Sequence, residues 1–209
     1  QMMLLEPGQS LKEKLGEPRF NELSRIVAKY GMAPATLDRV KVWAAAAIIS
    51  QPPPNPQSGE HTLTLLDKEL EKSARQSGKR VIALESNAEQ LAIFNSMSDA
   101  VQLEYLDQAI DENHQLNEEL ETMTSYYLSG NTGWIACNLE ETLQETSAAL
   151  SKIMTTDLIY MRNHRMVERM LPELQRGNAF IGIGALHLPG EEGVLSLLEK
   201  LGYEIEQKY

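Results

Sequence analysis

The sequence is short of cysteine and of long apolar runs, and each shortage excludes a class of protein. Cys137 is the single cysteine in 209 residues, so no internal disulfide can form, although a lone thiol is compatible with either redox compartment. A membrane-spanning helix needs about 18 or more consecutive apolar residues. The nearest candidate, Val42 to Ile49, is far shorter and is typical of a buried helix. This chain therefore contains no predicted transmembrane segment.

Basic residues and the common catalytic motifs are scarce as well. The chain has 30 acidic and 19 basic side chains and a net charge of −11, and no stretch clusters Lys and Arg as binding to a nucleic-acid backbone requires. We therefore predict no nucleic-acid partner. Cys-x-x-Cys, His-Glu-x-x-His, P-loop and Gly-x-Ser-x-Gly patterns are missing, which disfavours the common zinc proteases, NTPases and serine hydrolases.

What the sequence does contain is mostly helical periodicity. Ser10 can cap a short helix that Gly16 stops, and Pro34 opens a helix that runs to Ile48. The proline-rich stretch 51–59 predicts a loop. Longer helices are predicted from Thr62 to Gln76, Asp99 to Leu128, Leu139 to Lys152 and Leu158 to Gln175, so that residues 88–176 form a helix-rich insertion.

Three apolar segments predict strands. They are Val81–Leu84, Ala179–Ala185 and the alternating Tyr203–Gln207, and a helix from Gly193 to Leu201 joins the last two. We therefore predict an α/β fold, with a small central and largely parallel sheet, as a single domain over residues 1–209. Three strands are few for so many helices, so either the helices form a layer of their own or further strands lie upstream.

Two predicted strands deliver an ionisable residue at their carboxyl ends, where ligands bind in open α/β sheets. His187 follows one strand and Glu85 follows the other. His187 could instead be a packed histidine at a tight turn, and the neighbouring Ser86 and Asn87 favour a helix cap for Glu85. If the strands are parallel, the two side chains lie at one edge as a pair of metal ligands or as an acid/base pair.

Arginines line one face of the helix that starts at Leu158. Arg162, Arg165 and Arg169 are spaced i, i+3 and i+7, with Asn163 beside them. In so acidic a chain this spacing favours pairing with surface carboxylates. The other histidines, at positions 61, 114 and 164, rank below His187.

The sequence around His187 resembles a signature of a known protein family. The stretch Gly184-Ala185-Leu186-His187-Leu188-Pro189-Gly190, followed by Gly193, Leu195, Leu198, Gly202 and Tyr203, resembles the C-terminal signature of the TraB/GumN/Tiki proteins, whose core is a Gly-x-x-His motif. Arg162-Asn163 resembles the Arg-Asn helix motif of that family. The weaker matches are Leu5, Pro7-Gly8, Ser10-Leu11, Lys41-x-Trp43, Asp67, Leu70, Ala74, Gly78-Lys79, Leu84-Glu85 and Gln90-Leu91.

The resemblance implies a metal-dependent hydrolase, with a peptidase as the expected activity, on an EreA/ChaN-like core. His187 and Glu85 would be metal ligands, and His187, Glu85, Arg162 and Asn163 would form the catalytic site. The metal would be Mn, Co or Zn, and the substrate a peptide or protein. The family carries two Gly-x-x-His motifs and this chain only the later one, so we expect the N-terminal strands and the first motif to lie upstream of Gln1.

The resemblance also implies an extracytoplasmic location, either periplasmic or through a lipid anchor upstream, in a bacterial protein. Two other functions stay open at this point. One is a protein that binds and sequesters a peptide without cleaving it, and the other is a structural, export-associated domain. The sequence leaves the oligomeric state open.

Overall fold

The computed structural model describes residues 2–54 and 66–208. In these ranges the regular structure is helical, apart from one isolated antiparallel bridge between Leu4 and Val40. None of the described helices is both long and apolar enough to cross a membrane. The α-helices are α1 (Leu11–Leu15), α2 (Glu17–Ala28), α3 (Pro34–Leu37), α4 (Val42–Ile49), α5 (Leu66–Gln76), α6 (Asn87–Asn95), α7 (Asp99–Glu112), α8 (Leu116–Leu128), α9 (Thr132–Thr142), α10 (Ala148–Lys152), α11 (Met161–Arg176) and α12 (Val194–Lys200).

Shorter or wider helical turns join some of these helices. They are 3₁₀ turns at Leu143–Glu145 and Ala185–His187, and a π-helix at Ile153–Tyr160 that runs directly into α11. The predicted start of the first helix is confirmed, because the Ser10 hydroxyl accepts a hydrogen bond from the Glu13 amide. Part of the predicted loop at 51–59, the start of the predicted helix at Thr62 and all of His61 lie outside the described residues.

The long predicted helices are divided in the structure. The helix predicted from Asp99 to Leu128 breaks after Glu112. There the side-chain amide of Asn113 donates to the Ile49 carbonyl (2.9 Å) and to the Tyr30 hydroxyl (3.2 Å). Ser147 caps a new helix inside the segment predicted from Leu139 to Lys152. Side-chain hydrogen bonds to distant residues and local caps therefore set these boundaries, whereas the apolar spacing does not.

The predicted α/β fold is wrong. Within the described part of the chain no sheet forms, and the segments predicted as strands do not pair. A strand needs hydrogen-bonded neighbours, and each of these segments instead packs at least one side chain on the core formed by α11 and α12. Ile181 and Ile183 pack on the core formed by α11 and α12. Phe180, the residue before Ile181, is 80% exposed. Ile82 in the first predicted strand is 46% exposed.

The chain divides into two compact units. One comprises Gln1–Leu63 and Phe94–Leu120, and the other comprises Thr64–Ile93 and Glu121–Tyr209. The helix-rich region 88–176 is thus shared between the units, and the prediction of one domain with an insertion stays a prediction. In the first unit the central side chain is Trp43, which is 1% exposed and stacks on Phe94 with ring centroids 5.1 Å apart.

The second unit has its own apolar core between two helices. One face of α11 meets one face of α12, and partly buried side chains from outside these helices cover the edges. The buried members of this core are Met166, Val167, Met170, Val194, Leu197 and Leu198. Because α11 carries Arg162 and Asn163, this core sets where those two predicted site residues lie.

Replacing Trp43 by alanine should lower the free energy of unfolding by about 3–5 kcal/mol, because the change empties a large buried volume. The matched control is Trp134→Ala, since Trp134 is only half-buried and stacks on Tyr126 (4.2 Å) in the second unit. Urea unfolding followed by far-UV circular dichroism measures both losses. Equal losses in the two variants would contradict this assignment of the core.

Candidate functional site

His187 ends a 3₁₀ turn that contacts α9 and the π-helix. The residue is 8% exposed. Gly193, the residue before α12, lies against the backbone of Leu188 and Pro189, directly after this turn. A Cβ at Gly193 would stand 2.2 Å from the Pro189 carbonyl oxygen and 2.4 Å from that of Leu188. A side chain at position 193 would therefore displace the turn that carries His187, which gives a physical reason for glycine there.

Asn163 determines which ring nitrogen of His187 carries the proton. Asn163 is fully buried, and its amide nitrogen donates to the Glu192 carbonyl at 2.7 Å. A carbonyl oxygen only accepts, so the amide oxygen of Asn163 faces Nδ1 of His187, 2.6 Å away. Nδ1 is therefore the N–H donor. In the neutral ring, Nε2 then carries the free electron pair.

The surroundings of His187 keep the imidazole neutral. Its pKa falls from 6.5 to about 4, chiefly because burial disfavours the charged form. The positive charge of Arg162 lowers the pKa further, while the carboxylate of Glu85 acts in the opposite direction. At neutral pH this site therefore presents an uncharged Nε2 with an available electron pair.

Glu85 forms a buried ion pair with Arg162. The side chains are 4% and 17% exposed, respectively. Nε of Arg162 donates to both carboxylate oxygens (2.9 and 3.2 Å), and Nη2 lies 2.9 Å from Oε2. Nη1 donates to the Leu158 carbonyl in the π-helix (3.0 Å). The guanidinium is thus held on one side by its own helix and on the other by the carboxylate.

The helix-cap interpretation of Glu85 applies to its neighbours instead. Ser86 and Glu89 form the cap of α6, because both the amide and the hydroxyl of Ser86 donate to Oε2 of Glu89 (2.8 and 2.9 Å). The Glu89 amide donates back to the Ser86 hydroxyl at 3.2 Å. This reciprocal pattern is a capping box. The Glu85 carboxylate takes no part in it and accepts from Arg162 and, at 3.4 Å, from the side-chain amide of Gln90.

The arginine face of α11 pairs with carboxylates, as the spacing predicted. One of these carboxylates is Glu85, which belongs to the candidate site. Arg169 binds Glu89 at 2.6 Å, and Nη1 of Arg165 lies 3.9 Å from both Glu85 and Glu89. Arg165 is at the limit of an ion pair with each carboxylate, whereas Arg162 and Arg169 make close hydrogen bonds.

The structure brings the four predicted site residues into one neighbourhood of the second unit. His187 contacts Asn163, Glu85 contacts Arg162, and the two pairs are electrostatically coupled at His187. Their roles in function stay predictions. Sequence reasoning missed Glu89 and Glu192 as partners of these residues, and it placed Arg169 on the arginine face without connecting it to the site. Ser86-x-x-Glu89 was a readable capping signal for the first of these, and nothing local marked the Glu192 carbonyl as a partner of Asn163.

The two other histidines that the structure describes lie outside this cluster. His164 is exposed and its Nε2 lies 2.6 Å from a carboxylate oxygen of Glu192. His114 is exposed and contacts Gln115. Neither of these two histidines forms part of the His187 cluster.

The donor set fits a divalent metal only in part. Nε2 of neutral His187 is a suitable ligand atom. The Glu85 carboxylate keeps some lone-pair capacity, but the guanidinium bound to it opposes a second cation at that place. Among the described residues, no group of three or more His, Cys, Asp or Glu side chains is arranged to hold a metal ion. Of the two predicted ligands, His187 has the better-suited geometry.

The second unit thus defines a class: a helical unit with a neutral histidine, a buried amide and a buried carboxylate–arginine pair. The model of the TraB/PrgY/gumN family matches residues 1–207. The chain belongs to this family.

Several relatives support the assignment. The chain is 26% identical over 190 residues to the uncharacterized protein YbaP of Escherichia coli (strain K12), a match that covers 91% of this chain and 68% of YbaP. It is 27% identical over 165 residues to the metalloprotease TIKI2 of Danio rerio, covering 68% of this chain and 32% of TIKI2. A metalloprotease TIKI homolog of Amphimedon queenslandica is 27% identical over 224 residues, covering 92% of this chain and 42% of the homolog. No solved structure matches the chain.

The lowered pKa of His187 predicts a loss of stability in mild acid. Between pH 6.5 and about 4 the unfolded chain binds a proton at this imidazole that the folded protein does not. Stability therefore falls as the pH falls through this window, by up to about 3 kcal/mol, and below it both states hold the proton. Relative to wild type, His187→Asn should lack this part of the pH dependence in urea unfolding. Parallel pH profiles for the two proteins would show that His187 is not held neutral.

Proposed function

We propose that the protein is a metal-dependent hydrolase that cleaves peptide bonds, with His187 as the ligand or base that this chain contributes. The observation that carries the proposal is the hydrogen bond from Nδ1 of His187 to Asn163, which leaves Nε2 as a free electron pair beside a buried carboxylate–arginine pair. Membership of the family and the likeness to two proteins named as metalloproteases support the same reaction class.

Each residue has a separate task in the proposed site. Asn163 holds the ring of His187 in the tautomer that points an acceptor toward the substrate or a metal ion. Arg162 uses three donors on Glu85 and Leu158, so its other N–H groups remain for an oxygen that gains charge in the transition state. A divalent ion, when bound, supplies a polarised carbonyl and a more acidic water. Glu85 supplies the negative charge that the site needs beside a cationic side chain.

The metal, the substrate and the location are part of the proposal. We take Mn²⁺, Co²⁺ or Zn²⁺ as the ion, a peptide or protein as the substrate, and an extracytoplasmic compartment as the place of action. The proposed compartment rests on the family resemblance alone. The single cysteine, Cys137, is exposed and is compatible with any compartment.

Calorimetric titration of Mn²⁺, Co²⁺ and Zn²⁺ tests the metal directly. We expect one of the ions to bind wild type with stoichiometry near one, and His187→Ala to lose at least about tenfold in affinity, since a ligand atom is removed. The matched control is His114→Ala, which removes an exposed histidine in the first unit and should bind like wild type. Equal binding by wild type and His187→Ala would reject His187 as a ligand.

A non-catalytic protein that sequesters a peptide is the second candidate. It is favoured by the donor geometry, because the Glu85 carboxylate is already bound by Arg162 and the described residues contain no three-donor metal cluster. Incubation with a peptide library, followed by mass spectrometry, separates the two functions. Cleavage products that disappear in His187→Ala indicate the hydrolase, whereas intact peptides that co-elute with the protein indicate sequestration.

A further inference from the structure

We propose that Arg169 and Glu89 are positioning residues that hold the chain on both sides of Glu85, and so place its carboxylate against Arg162. The inference rests on the proposed function in giving Glu85 a task at the site. The contacts that carry it are independent of any metal.

Arg169 binds the chain at two points. Nη1 of Arg169 donates to the carbonyl of Leu84 at 2.7 Å. Leu84 is the residue directly before Glu85. The same nitrogen donates to Oε2 of Glu89 at 3.1 Å, and Nη2 donates to Oε1 at 2.6 Å. A guanidinium is a rigid planar fork, so these bonds fix the separation between the Leu84 carbonyl and the Glu89 carboxylate. Glu85 lies between them in the sequence.

Glu89 fixes the other side of Glu85. Its Oε2 accepts from the Ser86 amide and hydroxyl, and Ser86 is the residue directly after Glu85. One carboxylate thus closes the cap of α6 and receives the arginine of α11 at the same time. Leu84 is held by Arg169 and Ser86 by Glu89, so the backbone of Glu85 is restrained from both neighbours.

Charge supports this geometry. The hydrogen bonds from Arg169, followed by those from Ser86, hold the pKa of Glu89 well below its usual range, and the pKa of Arg169 is raised, chiefly by its hydrogen bond to Glu89. Both groups therefore stay ionised throughout the ordinary pH range. Arg169 is 39% and Glu89 32% exposed at the side chain, and so exposed a pair contributes little to global stability. Its effect should be on the geometry at Glu85.

The Nε–H group of Arg162 reports that geometry, because it donates to both oxygens of Glu85. Its resonance in a ¹H–¹⁵N spectrum is identified by its absence in Arg162→Lys. In wild type we expect slow exchange of this proton with water. In Arg169→Met and in Glu89→Gln the exchange should accelerate by about tenfold or more, since the carboxylate is released to local opening. The measurement uses the full chain without added metal.

The control is Arg176→Met, which removes an arginine from the far end of α11 that pairs with Glu173. We expect this variant to retain the wild-type exchange rate and signal. Should Arg169→Met fail to fold, Glu89→Gln decides alone, because it keeps the shape of the side chain. Unchanged exchange in folded Arg169→Met and Glu89→Gln, or equal acceleration in Arg176→Met, overturns the proposal.

This outcome is separate from that of the metal titration. Accelerated exchange in the two variants upholds the positioning role even if no ion binds at His187. Unchanged exchange rejects the positioning role even if a metal-dependent activity is found.

Discussion

The candidate site depends on one buried ion pair, that of Glu85 with Arg162. Both charges have been taken out of water, and such a pair is tolerated only when its geometry satisfies the groups that have lost solvent. Arg162 meets this demand with Nε and Nη2 on the carboxylate and with Nη1 on a carbonyl of the π-helix. The segment before α6 and the start of α11 are thereby joined across 77 positions of sequence. A change in either residue removes the closest partner of the other charge.

Histidine chemistry at this site follows from the same helix. Arg162 and Asn163 are consecutive at the start of α11, and each binds a different partner, Glu85 or His187. Burial chiefly lowers the pKa of His187 and the arginine lowers it further, while the amide of Asn163 fixes the tautomer of the ring. A π-helix directly precedes α11 and supplies the Leu158 carbonyl to Arg162, and π-helical turns are often found at functional sites.

The sequence singled out four side chains that the structure brings together, whereas the predicted fold was wrong; the functional roles of these side chains stay predictions. His187, Glu85, Arg162 and Asn163 were recognisable because motif spacing and the family resemblance are local features. The sheet was not predictable in this way, since the apolar run Ala179–Ala185 fits a strand and equally fits a segment that lays Ile181 and Ile183 on two helices. Pairing is a property of distant partners, and the described residues supply none. The division of the predicted helix after Glu112 likewise depends on Asn113 reaching Ile49 and Tyr30.

A double-mutant cycle on Glu85→Gln and Arg162→Met tests the central role of this ion pair most directly. Urea unfolding gives the four free energies of unfolding. We expect each single variant to lose about 3–5 kcal/mol, because each removes the closest partner of a charge that is largely shielded from water. The double variant should lose less than the sum by about 2 kcal/mol or more, because no lone charge remains. Strictly additive losses, or single losses no larger than those of an exposed pair, would show that the site does not depend on Glu85 and Arg162.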